Sequence, residues 1–154
     1  MRPRRGDGDT LPGMTVALKL THDEPRLVYL ALVYHLGRPG SELDPSTRTP
    51  VERGLRDVKL ALGNELEAES AVIELDSWQY GRLLSALKGC VTELRVYHMR
   101  EGALSTVGRW TETAESLWPA LKADPETALD LAESMMMLER RIELAVGRAL
   151  AEPG

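Results

Sequence analysis

LVYLALVYHL, Leu27 to Leu36, is apolar on nearly every side of the helix it predicts. A helix with a single apolar stripe lies on a surface, whereas one that is apolar all round is enclosed by other elements. This segment therefore belongs at the centre of the fold, and the rest of the chain must cover it. Thr21, with Glu24 three residues on, marks its start. That is the pattern of a capping box, in which each side chain satisfies an orphan amide of the first turn. Gly37, Pro39 and Gly40 stop it, so the expected helix spans His22 to Leu36.

The cover is legible on the C-terminal side. Thr49 and Glu52 repeat the capping pattern, with Pro50 where a missing N–H does no harm, and open a helix expected from Pro50 to Glu69. Its apolar positions Val51, Leu55, Val58, Leu62 and Leu66 are three or four apart. Asp76 with Gln79 opens a third helix, Ser77 to His98, striped by Tyr80, Leu84, Leu87, Val91 and Leu94. A fourth, Leu104 to Trp118, turns Val107, Trp110, Ala114 and Leu117 inward and meets Pro119. Asp124 with Pro125 starts the fifth, which runs to Ala151.

Two segments alternate with period two. Val16, Leu18 and Leu20 form one apolar face, and Ala71, Ile73 and Leu75 another. Each leads into a capped helix. Two strands this short must lie on helices or on a symmetry mate. Paired antiparallel in register, they would put Lys19 and Glu74 on a shared outer face. The fold class that follows is mainly α: a compact five-helix bundle with a minor two-stranded β element at 16–20 and 71–75. Residues 1–13, rich in Arg, Gly and Asp, read as a disordered N-terminal tail, and 14–152 as one helical domain.

The bulk properties fit that picture. A chain of 154 residues is long enough for a real core. With three Trp, four Tyr and no Phe, that core must rest on Leu, Val, Ala and Met. A net charge of −5 argues against nucleic acid and anionic lipid as partners. The small basic strip of Arg53, Arg56 and Lys59 lacks the aromatic interleaving of a nucleic-acid surface. The apolar run at 27–34 is far shorter than the ~20 residues of a membrane span. The single Cys90 offers no intrachain disulfide, and the N-terminus lacks a signal peptide's apolar run. A cytoplasmic location follows by elimination. The excess of Arg over Lys reads as codon bias of a GC-rich, bacterial genome.

Catalytic signatures are missing from the sequence. It has no nucleophile elbow, phosphate loop or dinucleotide fingerprint. His22 reads as solvated, and His35 as a helix-end histidine favoured by the dipole. His98 with Glu101 could form one edge of a metal site, but Glu-x-x-His never occurs, so no metal, cofactor or catalytic residue is assigned. Cys90, in mid-helix, reads as a small buried side chain. Gly81, Ser85 and Gly89 stand four apart on the third helix. Such a row admits a close-packed neighbour or, with Trp78 or Trp110 as a wall, a shallow ligand pocket.

The strongest functional hint lies in the last helix, at AESMMMLERRIELA, Ala132 to Ala145. Ala128, Leu131, Met135, Leu138, Ile142, Ala145 and Ala149 form a heptad seam. That seam leaves out Leu129, Met136, Met137 and Leu144, while Glu133, Ser134, Arg140, Arg141, Gly147 and Arg148 form a polar ridge. An arc this wide needs more than one neighbour. Either the helix is packed among its own subunit with Met filling gaps, or the Met136–Met137 flank meets a second subunit. The sequence reading adopted is a non-catalytic homodimer or adaptor with an unknown protein partner, its candidate interface at Leu129, Met136, Met137 and Leu144. The alternatives are a small-molecule-binding regulatory domain, with a pocket at Trp78, Gly81, Ser85, Gly89 and Trp110, and an unrecognised enzyme.

Overall fold

A computed structural model describes residues 15–37, 50–99 and 110–151. The chain order there is β1 (Thr15–Thr21), α1 (Glu24–Leu36), α2 (Pro50–Gly63), β2 (Ser70–Asp76), α3 (Ser77–Met99), α4 (Trp110–Leu117), α5 (Ala120–Ala123) and α6 (Glu126–Ala151). The fold is mainly α with one small antiparallel sheet, as the sequence predicts. The expected tail at 1–13, most of the 37–49 loop with Thr49, and the Leu104 and Val107 part of the fourth helix lie outside the described residues. So does Glu101.

β1 pairs with β2 in the predicted register, Leu18 opposite Ile73. Leu18, Leu20, Ala71, Ile73 and Leu75 are buried beneath the sheet, while Lys19, Val72 and Glu74 face outward. Lys19 sits opposite Val72 and Glu74 opposite Ala17, so the two charges are diagonal neighbours. The Tyr80 hydroxyl of α3 donates to the Val16 carbonyl at 2.7 Å, tying sheet to bundle. Burial, reinforced by nearby Glu74, pushes that phenol well above its ordinary pKa.

α1 is central. Leu27, Val28, Leu30, Ala31, Leu32 and Leu36 are all essentially without solvent contact. They are enclosed by α2, α3, α4 and β1. The α1–α3 seam also holds Cys90, whose Sγ accepts from Trp110 Nε1 at 3.3 Å and lies 3.8 Å from the Leu30 carbonyl. Burial raises the Cys90 thiol far beyond its normal range, which keeps it a neutral packing group.

Three element boundaries differ from the sequence reading, each for a physical reason. α1 begins at Glu24, not His22. A start at His22 would make Pro25 the first residue required to donate a helical hydrogen bond, to Thr21. Asp23 becomes the N-cap instead, Leu27 N–H donates to the Asp23 carbonyl at 3.0 Å, and Pro25 falls harmlessly in the first turn. His22 absorbs the direction change with φ 58°. α2 ends at Gly63, not Glu69. Gly63 packs against the Tyr29 ring, and Asn64 and Glu65 close turns onto Ala61 and Leu62. Glu67 and Glu69 thereby fall beyond the last turn of the helix, where the dipole disfavours acids. Beyond Pro119 the chain makes a further one-turn helix, α5, which buries Leu121 before α6 starts.

The Asp76 and Asp124 caps form as expected, whereas the Thr49–Glu52 pair lies outside the residues whose side chains are described. Asp76 N–H donates to Gln79 Oε1 at 2.9 Å and Gln79 N–H to Asp76 Oδ1 at 2.8 Å, a complete capping box. Asp124 Oδ1 accepts from Glu126 N–H at 3.1 Å at the start of α6.

Candidate functional site

α6 packs along α3 and against α5 and β1. Its inward side is the predicted seam: Ala128, Leu131, Met135, Leu138 and Ile142 are buried, joined by Ala132. Its outward side carries Leu129 at 39% exposure, Met136 at 38%, Met137 at 68% and Leu144 at 61%, followed near the end by Leu150. The four residues named from the sequence therefore lie together on the open side of one helix. Glu133 and Arg140 stand exposed among them.

Grooves run on both sides of Met137. One, of about 460 Å³, is lined by Arg95 of α3 and by Leu129, Glu133, Met136, Met137 and Arg140. Arg95 Nη2 reaches Met136 Sδ at 3.5 Å, so the guanidinium lies over the thioether as a polar wall beside an apolar floor. The other, of about 290 Å³, separates α6 from the turn before α1 and is walled by Thr21, His22, Met137 and Arg141.

Ionic ties fix α6 so that this side stays outward. Arg141 Nε donates to Glu24 Oε2 at 3.0 Å and its Nη2 to the Lys19 carbonyl at 2.9 Å. Glu24 meanwhile accepts from Thr21 N–H at 2.9 Å, so one carboxylate holds the end of β1 and anchors α6. Lys88 of α3 bonds Glu139, and that hydrogen bond raises the Lys88 pKa. His98 Nε2 lies 3.0 Å from Glu126 Oε2 at the start of α6. Nearby, burial and a 2.8 Å hydrogen bond to Glu115 push the Tyr97 phenol up to about 12. Sequence reading placed Arg141 in a generic polar ridge and did not single out Arg95. Neither role has a local signal, since the partners lie 117 and 41 residues away.

The residues of the expected tryptophan pocket are not gathered at one place. Trp110 is buried at 1% exposure against Cys90, whereas Trp78 is 61% exposed. A Cβ at Gly89 would lie 2.3 Å from the Tyr34 ring, so Tyr34 fills the close approach this glycine allows. Gly81 has open space around it. Trp78, Gly81 and Ser85 share a shallow, open surface with Ser77 and Arg82. His35 is buried in the last turn of α1 and His22 is exposed. Among the described residues no group of three or more His, Cys, Asp or Glu could hold a metal ion, and no helix is long and apolar enough to cross a membrane. Compared with known proteins, the chain matches no family model, no curated protein and no solved structure.

Proposed function

We propose that this protein is a non-catalytic, homo-oligomeric interaction module that docks through the outward side of α6. One observation carries the reading: Leu129, Met136, Met137 and Leu144 are solvent-exposed together on a helix whose opposite side is already full of core. Scattered exposed apolar residues are ordinary, but a cluster on one rigid element marks an interaction surface. Complete burial of a Met or Leu side chain is worth roughly 1.5–3 kcal/mol, and part of that gain is still open to each of these four. Met suits the task because its unbranched thioether adapts to the surface it meets. The firm ties from α6 to Glu24, Lys19 and Lys88 present the cluster on a rigid scaffold, which lowers the ordering cost of association. The pocket reading is left with the open surface at Trp78, Gly81 and Ser85.

Light scattering across a concentration series tests the proposal. The wild-type chain should shift from monomer to dimer mass as concentration rises. Met136→Glu with Met137→Glu should give a soluble monomer with unchanged helical content, since both side chains are exposed. A dimer that survives this double change would remove α6 from the interface.

A further inference from the structure

The outward side of α6 reads Leu129, Glu133, Met136, Met137, Arg140, Leu144. The gaps between these positions are four, three, one, three and four residues, a palindrome. Its chemistry is palindromic too, with the charge reversed. A Leu stands at each end, a Met pair fills the middle, and the acid on one side is mirrored by a base on the other. At 3.6 residues per turn all six fall within a sector about 100° wide, centred between Met136 and Met137. Neither Glu133 nor Arg140 has an ion-pair partner among the described residues.

A surface of this kind complements itself in one orientation. In a twofold dimer, if residue i meets residue j, then j meets i. Building on the self-association reading above, we infer that a second copy of this chain lies antiparallel across α6, with the twofold axis passing between Met136 and Met137. Leu129 then meets Leu144, Met136 meets Met137, and Glu133 meets Arg140, each pair formed twice. A parallel pairing would instead set Glu133 on Glu133 and Arg140 on Arg140, with like charges opposed at the centre of the interface. The same antiparallel axis brings Asp130 towards Glu143 at the rim. Lys88 of α3, bonded to Glu139, also feels the charge of Glu143, so a cation stands near this rim pair. The Leu129–Leu144 span is only ~22 Å at 1.5 Å per residue, so the interface is small and the dimer dissociates readily on dilution.

Cysteine pairing separates this arrangement from others. Cys90 is buried and does not compete. Leu129→Cys and Leu144→Cys chains, mixed and mildly oxidised, should cross-link at least about tenfold faster than either alone, because like positions are held ~22 Å apart. Glu133→Arg and Arg140→Glu should each weaken dimerisation on the order of tenfold, and the two together should restore it. Leu129→Cys cross-linking to itself as fast as in the mixture overturns the antiparallel arrangement while leaving the dimer intact. A wild-type chain that stays monomeric at every concentration overturns both readings and leaves the face to a different protein.

Discussion

α1 and α6 both carry apolar residues well beyond one side of a helix, yet the chain treats them differently. α1 is covered by α2, α3, α4 and β1, and its leucines have no solvent contact. Among the described elements α6 packs chiefly on α3, α5 and β1, and its surplus stays exposed. An apolar arc wider than one side states how many neighbours a helix needs. For α1 all of them are in the same chain. For α6 the described elements fill one side and leave the rest exposed, and it is this exposed side that the proposed association would use.

Substitutions on the two helices should separate that contrast into stability and association. The largest effect belongs to α1. Leu32→Ala should cost ~2–5 kcal/mol in urea unfolding, because the cavity opens in a fully enclosed site. Leu144→Ala on the bare side of α6 should change monomer stability by no more than ~0.5 kcal/mol and weaken dimerisation instead. Equal losses of folding stability from the two changes would break the comparison. The next effect lies where the two helices are tied. Glu24→Ala removes the acceptor of both Thr21 N–H and Arg141, and should cost ~1 kcal/mol, the net scale of a lost hydrogen bond. Its exchange-protection signature should appear at the start of α1 and around Arg141. Confinement to α1 alone would mean that Arg141 is not holding α6.

What the sequence discloses and what it hides divide along the same line. The centrality of α1, the strand pairing and the seam of α6 all follow from apolar spacing, a local signal repeated over many residues. The Asp76–Gln79 box forms as read because nothing in Ser77, Trp78 or Tyr80 opposes it. The equivalent Thr21–Glu24 box forms by half, since Pro25 forbids the first helical bond it would need. That proline is visible in the sequence, and its position relative to the cap is the informative feature. The exposed quartet on α6 is legible as surplus. That Arg141 is spent on Glu24, that Arg95 walls Met136, and that Tyr34 fills the space at Gly89 depend on residues distant in the chain. No periodicity encodes such contacts.

The smallest expected effect is at His22, which links the two helices in a different way. Its φ of 58° lies in the left-handed region, where a side chain with a Cβ is disfavoured by roughly 1–2 kcal/mol. Glycine removes that penalty but gives back part of the gain as unfolded-chain entropy. His22→Gly should therefore raise the urea midpoint by the equivalent of ~0.5 kcal/mol, with an unchanged slope, whereas His22→Val should lower it, because a β-branched residue tolerates this conformation least. His22 also walls the groove beside Met137. If it is only a wall, glycine there leaves the dimer constant untouched while stability rises. A fall in dimerisation with stability preserved would instead place the turn before α1 inside the interface, and the covered helix would then share in the association that the bare one leads.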